Sequence, residues 1–254
     1  MAVGSAELSG YFARPSFSAA TGAGRHGVVL SHGFPEPAHV VGAPGGLGHG
    51  YPELAERLAA ETGAAVLTFN FRGTGASEGD FSLGGWRADL ASAMAYLRAS
   101  SSVEKVWLVG FAAGGTLSIC AAAEDPTVAG VAVFAAPAEF AEGASDARRF
   151  VVQARSMGVI RSQGFPPDLA AWVRELLELH PAQLVARLPP RPLLVVHGAN
   201  DDVVPLTDAR ALAEAANSSA ELRILAGAGH RLLYDPRAIA LLLGWFDRYL
   251  GAPT

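Results

Sequence analysis

The alternation of short, continuously apolar runs with helical patterns constrains the fold of this chain more than any other feature. The apolar runs predict strands at residues 27–31, 65–71, 105–110, 128–135 and 192–196, and a further strand is predicted at 221–225. Amphipathic or small-residue patterns predict helices at 51–62, 86–99, 114–124, 207–216 and 236–250. Strands that are apolar on both sides belong to parallel sheets covered by helices on both faces. The predicted class is therefore α/β, a doubly wound and mostly parallel sheet, with one antiparallel edge strand at residues 7–14.

One long segment interrupts this rhythm. Residues 137–190 contain helical patterns but no clear strand, which predicts a helical insertion within a single domain spanning residues 1–254. In the helix predicted at 168–179, the apolar side chains share one face; they are Leu169, Trp172, Val173 and Leu176. This face predicts a small lid that places Trp172 against a bound substrate. The alternative is that the face packs at the edge of the sheet, far from any site.

Composition excludes several classes of function. The 254 residues carry 19 Lys and Arg against 24 Asp and Glu, so neither nucleic acid nor an anionic membrane is an expected partner. The single Cys120 rules out an intrachain disulfide. Residues 106–123 lack charges, yet their glycines predict a strand, a turn and a helix rather than a membrane span. No secretory signal is visible, which predicts a cytoplasmic protein, and the oligomeric state stays open.

The segment GFAAGG at residues 110–115 follows a predicted strand and opens a predicted helix. In this context a pattern of small residues two positions on either side of a nucleophile predicts a sharp turn that presents the nucleophile. Gly110 and Gly114 fill the small positions, where larger side chains would collide with the neighbouring chain. The nucleophile position holds Ala112.

Two later loops supply an acid and a base, in the chain order that this architecture uses. The loop HGANDDVVP at 197–205 follows a predicted strand and places Asp201 in the acid position. The loop GAGH at 227–230 follows the next strand and places His230 in the base position.

The turn SHGF at residues 31–34 follows the first parallel strand. Because Gly33 has no side chain, backbone N–H groups can point into a site there. The N–H groups of Phe34 and Ala113 are the predicted oxyanion donors. His32 and Gly33 are predicted to bind the substrate.

These motifs, with RGTGASEG at 72–79, resemble those of the α/β-hydrolase superfamily, in particular serine aminopeptidase-like and dienelactone-hydrolase-like esterases. The resemblance runs from about residue 27 to residue 250. It implies an α/β-hydrolase fold and cleavage of small carboxylic esters, thioesters or amides through an acyl-enzyme, without a cofactor. It also implies that Asp201 orients the imidazole of His230, that His230 deprotonates the nucleophile, and that His32 supports the turn.

The sequence departs from this family at the nucleophile. Alanine has no lone pair, so an acyl-enzyme cannot form at Ala112, and loss of a serine nucleophile costs on the order of 10⁶-fold in turnover. Three explanations stay open. Ala112 replaces a serine by engineering; or the alanine is natural and the protein binds a ligand or partner without catalysis; or His230 and Asp201 act alone, by activating water or removing a substrate proton.

Other residues are weaker candidates for chemistry. Ser118 and Cys120 would lie about 9–12 Å down the helix that follows Ala112, and Ser31 is predicted to bond to the backbone. His197 begins the acid loop and predicts a structural hydrogen bond. No spacing typical of a metal site or of dinucleotide binding is present, so neither a metal nor a cofactor is expected.

Overall fold

The computed structural model of this chain describes residues 2–3, 6–15, 26–35, 50–140, 145–217 and 220–250. Residues 35–50 are rich in glycine and proline, which predicts a loop, and they lie almost entirely outside the described residues. The strands are β1 (Ala2–Val3), β2 (Ala6–Glu7), β3 (Gly10–Ala13), β4 (His26–Ser31), β5 (Ala65–Phe69), β6 (Lys105–Phe111), β7 (Val128–Phe134), β8 (Leu193–Gly198) and β9 (Ala220–Leu225). The helices are α1 (Tyr51–Thr62), α2 (Leu83–Ser100), α3 (Ala113–Glu124), α4 (Ala147–Ser156), α5 (Leu169–Glu178), α6 (Pro181–Leu184), α7 (Leu206–Ala215) and α8 (Pro236–Leu250), with short 3₁₀ turns at Val185–Arg187 and Leu232–Tyr234.

A seven-stranded sheet in the order β3-β5-β4-β6-β7-β8-β9 forms the centre of the protein. Strand β3 pairs with β5 in an antiparallel manner, and every other neighbouring pair is parallel. The prediction of a mostly parallel sheet is thus confirmed. The edge strand predicted at 7–14 is shorter than expected, because residues 6–7 pair with residues 2–3. In addition, the Glu78 and Asn70 amides donate to the carbonyls of Glu7 and Ser9.

Helices cover both faces of the sheet and divide the buried side chains into two clusters. One cluster joins the sheet to α1 and α8. The other joins it to α2, α3, α7 and the insertion. Alternate residues of β6 face the two sides: Trp107 and Val109 enter the first cluster, whereas Val106 and Leu108 enter the second. Burial on both faces explains why the central strands β4 to β8 are continuously apolar. The edge strand β9 is only partly buried and carries Glu221 and Arg223.

Local hydrogen bonds move some boundaries away from those that the apolar pattern predicts. Helix α2 begins at Leu83 rather than at residue 86, because the Ser82 hydroxyl accepts a hydrogen bond from the Gly85 amide and caps the helix. Helix α5 begins at Leu169, after Asp168 caps it through the Ala171 amide.

The insertion between β7 and β8 carries α4, α5 and α6 on the α2 side of the sheet. Trp172 and Leu176 of α5 are buried there, and the Trp172 indole donates to the Phe81 carbonyl at 3.0 Å. Glu175 accepts a hydrogen bond of 2.9 Å from the Gly84 amide at the start of α2. The apolar face of α5 is therefore fixed against α2 and the segment that precedes it.

The uncharged stretch at 106–123 is divided between strand β6 and helix α3, with Ala112 at the junction. Of the helices in the described part of the chain, none is long and apolar enough to cross a membrane.

Candidate active site

The predicted site residues follow strands that end at one edge of the sheet. Ala112 directly follows β6, Asp201 lies in the loop after β8, and His230 follows β9. The turn that contains Gly33 follows β4, the neighbour of β6. Because the carboxyl ends of parallel strands share one edge, the chain concentrates these four segments there.

The backbone at Ala112 forms a sharp turn between β6 and α3. Its dihedral angles are φ 47° and ψ −125°, and positive φ is uncommon for a residue other than glycine. A Cβ on Gly110 would lie 2.4 Å from the Gly114 oxygen, and a Cβ on Gly114 would lie 2.4 Å from the His32 oxygen. The two glycines thus allow a close chain approach that any larger residue would prevent.

The turn after β4 lies directly against the sharp turn at Ala112, which we call the elbow. A Cβ on Gly33 would lie 2.6 Å from the Ala112 Cβ and 3.4 Å from the Ala113 nitrogen. Ala113 is the first residue of α3, where N–H groups lack an intrahelical partner. Within the described residues, neither the Phe34 nor the Ala113 amide donates a hydrogen bond. The residues that directly follow Gly33 and Ala112 therefore each carry an amide donor without a partner among the described residues.

The His32 ring holds this turn in place through hydrogen bonds at both of its nitrogens. Its Nδ1 donates to the Gly33 carbonyl at 2.6 Å, and its Nε2 accepts from the Phe71 amide at 3.2 Å. A planar peptide points the Phe34 N–H away from the Gly33 oxygen, so the bond from His32 also fixes the direction of that donor. Burial lowers the pKa of His32 from 6.5 to about 4, although the bond to Gly33 opposes this shift.

Asp201 and His230 form a hydrogen-bonded pair. The His230 Nδ1 lies 3.0 Å from Asp201 Oδ2 and 3.1 Å from Oδ1. The Asp201 side chain is fully buried, whereas 25% of the His230 side chain is exposed. Because Asp201 occupies Nδ1, the other ring nitrogen of His230 is the one available to a substrate.

The Asp201 carboxylate is held by more than His230. Its Oδ1 accepts from the amides of Val203 and Val204, each at 2.9 Å. Burial alone would raise the pKa of this carboxyl, but the hydrogen bonds from His230, Val204 and Val203 hold it below its ordinary value. Asp201 is thus ionised at neutral pH and oriented toward His230.

The alternative nucleophiles are buried in the core. The Ser31 hydroxyl contacts the oxygens of Val109, Gly114 and Ser118 at 3.1–3.3 Å. Ser118 donates to Gly114, and burial raises the pKa of the Cys120 thiol to about 12. These groups serve packing and backbone bonding, which agrees with the interpretation drawn from the sequence.

An aromatic cluster lies beside the turn, and the sequence did not predict it. Phe34 packs on Phe81 and Trp86 with ring centroids 4.8 Å apart, and Phe150 lies 6.0 Å from Phe34. Trp172 contacts Phe81 and Phe150, so it lies one ring away from Phe34. The members come from four separate segments, so no periodic pattern reveals the cluster.

A second histidine near Asp201 also escaped prediction as part of the site. The Nε2 of His197 lies 3.5 Å from Asp201 Oδ2, and its side chain is fully buried. The sequence feature that could have indicated this contact is the spacing of four residues between His197 and Asp201. Over the described ranges, no group of three or more acidic, histidine or cysteine residues could hold a metal ion.

Comparisons with known proteins identify the family. A sequence model described as the alpha/beta hydrolase fold matches residues 28–176, more than half of the chain. The chain therefore belongs to the α/β-hydrolase fold family, which confirms the fold predicted from the motifs. A comparison with curated protein sequences found no match.

Solved structures with the same architecture include several hydrolases. The α/β hydrolase GrgF from Penicillium sp. sh18 is 21% identical, with a TM-score of 0.70 over 96% of this chain and 94% of that one. Est1E from Butyrivibrio proteoclasticus with ferulic acid bound is 18% identical, with a TM-score of 0.70 over 98% and 96%. An esterase from Pyrococcus furiosus is 16% identical, with a TM-score of 0.68 over 97% and 87%. At these identities the likeness extends to the fold alone.

Proposed function

We propose that this chain is an α/β hydrolase of the carboxylic-ester type whose site is complete except for the nucleophile. In this proposal Asp201 orients His230, the amides of Phe34 and Ala113 bind a carbonyl oxygen, and Ala112 occupies the position of the attacking hydroxyl. The chain as it stands would bind small ester-like molecules without forming an acyl-enzyme.

The observation that carries the proposal is the backbone of Ala112. A non-glycine residue at φ 47° stores strain of about 1–3 kcal/mol. Yet this turn places the Cβ of residue 112 beside Gly33. A serine hydroxyl there could attack a carbonyl carbon while the Phe34 and Ala113 amides, which have no partner among the described residues, bind the carbonyl oxygen. The bonded His230–Asp201 pair at the same edge of the sheet supports the same assignment.

The insertion and the neighbouring structures support a small-molecule ligand. We propose that α4 and α5 form a lid on the α2 side of the site. Trp172 packs against Phe81 and Phe150, and in this proposal it supports the rings that face the substrate. His32, whose two ring nitrogens are bonded within the protein, would act on the substrate through the turn that it supports.

Restoring the hydroxyl tests the proposal. Ala112→Ser should hydrolyse p-nitrophenyl acetate and butyrate at a rate at least about 10³-fold above the parent, because the base, acid and donors are in place. The measurement is release of p-nitrophenol with both proteins at equal concentration. Ala123→Ser, which adds a hydroxyl to the same helix away from the site, should leave the rate at background.

In the double variant Ala112→Ser with His230→Ala the serine has no base to activate it, so the rate of hydrolysis should return to background. This variant separates hydrolysis by the complete site from hydrolysis caused by the added hydroxyl alone. An Ala112→Ser protein that is folded and as inactive as the parent contradicts the hydrolase assignment and favours a binding protein. Turnover by the parent that disappears in His230→Ala would instead favour the histidine–aspartate pair acting alone.

A further inference from the structure

His197 makes contacts that tie the acid loop to the central sheet. It lies in β8, and its side chain is fully buried. Its Nε2 lies 2.9 Å from the Val204 carbonyl oxygen and 3.5 Å from Asp201 Oδ2. Both neighbours are acceptors, so Nε2 carries the hydrogen and donates it to Val204, with Asp201 as the more distant second acceptor.

Val204 closes a ring of contacts around the carboxylate. Its amide donates to Asp201 Oδ1 at 2.9 Å, while its carbonyl accepts from His197. The Val203 amide adds a second hydrogen bond of 2.9 Å to the same oxygen. The carboxylate is therefore held from one side by its own loop, and this loop is held by a side chain on a rigid strand.

We propose that His197 is a positioning residue that fixes the Asp201 carboxylate and, through it, the ring of His230. Asp201 lies in a loop, and a loop alone orients a carboxylate less well than a strand does. His197 transmits the rigidity of β8 to the two contacts of 3.0 and 3.1 Å between Asp201 and the His230 Nδ1. Only the kinetic part of its test rests on the proposed function.

One atom of His197 makes the proposal specific. Among the described residues, nothing hydrogen-bonds to its buried Nδ1. Within the described residues, the His197 ring is therefore hydrogen-bonded through Nε2 alone. A side chain that replaces it needs a hydrogen-bond donor at the position of Nε2. Glutamine places its amide near the position of Nε2, whereas asparagine places its amide near Nδ1. His197→Gln and His197→Asn are therefore a matched pair of polar variants.

The first experiment needs no catalysis. In the parent protein with ¹⁵N-labelled histidine, NMR should show a low-field proton on the His230 Nδ1, because a fixed carboxylate accepts it. The signal should persist in His197→Gln and be lost to exchange in His197→Asn. Asp201→Asn is the reference for a carboxylate that is absent, and circular dichroism checks that each variant is folded.

The second experiment uses the Ala112→Ser protein. Adding His197→Asn should lower kcat on the order of 10- to 100-fold with KM changed by less than about twofold, because misorientation affects the reaction more than binding. Adding His197→Gln should recover most of the loss. Equal proton signals and equal kcat in the two variants would overturn the proposal. An inactive Ala112→Ser protein would refute the proposed function alone, and the proton signals would still decide the role of His197.

Discussion

Ala112 has a backbone conformation that an alanine does not favour. At φ 47° its Cβ crowds the backbone, and the surrounding bonds keep it there. The Ala112 amide donates to the Phe134 carbonyl at 2.8 Å, and its own carbonyl accepts from Gly115 at 2.9 Å. The strained backbone at residue 112 is thus retained, although the methyl group of Ala112 cannot serve as a nucleophile.

Glycine at this position should relieve the strain. Ala112→Gly should raise the free energy of unfolding by about 1 kcal/mol, because the lost strain exceeds the extra entropy that glycine gives the unfolded chain. Urea unfolding followed by circular dichroism measures the difference. Ala123→Gly on the same helix should instead lower stability by about 0.5–1 kcal/mol. A loss of stability in both variants would show that the elbow is not strained.

Single residues differ in how far the sequence could predict them. The positions of Ala112 and Asp201 were predictable because each follows an apolar strand within a short motif. His230 was predictable from the motif GAGH that follows the edge strand β9. The contact of His197 with Asp201 was not, because it depends on how the loop returns Val204 to the strand. Similarly, the cap of α2 depends on the hydrogen bond from the Gly85 amide to the Ser82 hydroxyl, which an apolar pattern does not contain.

At the scale of elements, the insertion is fastened to the loop that follows β5. Asp80 accepts from the Arg161 and Ser162 amides at 2.5 and 2.9 Å, and the Phe81 amide donates to the Val159 carbonyl at 2.8 Å. Burial would raise the pKa of Asp80, but the hydrogen bonds from Ser162 and Arg161 hold it lower. The segment after α4 is thus attached by a carboxylate that stays ionised.

Removing this carboxylate should loosen the insertion. In Asp80→Ala, trypsin should cleave after Arg155 or Arg161 several-fold faster than in the parent, because the two amides lose their acceptor and the segment opens locally. Cleavage sites and rates are read by mass spectrometry. Asp247→Ala, which removes an exposed carboxylate from α8, is the matched control. Equal cleavage rates in both variants would show that Asp80 does not fasten the segment.

The elements themselves were largely predictable, and their contacts were not. The bounds of the central strands follow from apolar runs that both faces of the sheet bury. The helices α1 and α8 match the predicted residues in full. The position of α5 depends on Glu175 meeting the Gly84 amide and on Trp172 meeting the Phe81 carbonyl. These partners lie more than eighty residues away in sequence, where no periodic pattern reports them.

At the scale of the whole molecule, His32 joins the two hydrophobic clusters. Its ring lies 5.1 Å from Phe71 and 6.0 Å from Trp86 in one cluster, and 6.1 Å from Tyr51 in the other. Burial lowers its pKa to about 4, opposed by the bond to Gly33. Protonation of this ring would place a charge between both halves of the core, so its titration affects the stability of the whole fold.

This burial predicts how stability depends on pH. The unfolded chain binds a proton at His32 below pH 6.5, but the folded protein does so only near pH 4. The free energy of unfolding should therefore fall by about 2 kcal/mol from pH 7 to pH 5 on account of this residue. The carboxyls of Asp80, Asp125 and Asp201, whose pKa values are lowered, lose their contribution only at more acidic pH.

A pair of histidine variants isolates this effect. His32→Asn retains a donor for the Gly33 carbonyl but has no titratable ring, so most of the fall between pH 7 and pH 5 should disappear. His26→Asn removes the partly exposed His26, whose pKa burial also lowers, and should keep the part that comes from His32. Urea unfolding at the two pH values measures both. If His32→Asn loses as much stability as the parent between pH 7 and pH 5, the folded protein accepts a proton at His32 without cost, and the junction of the two clusters is more hydrated than its burial indicates.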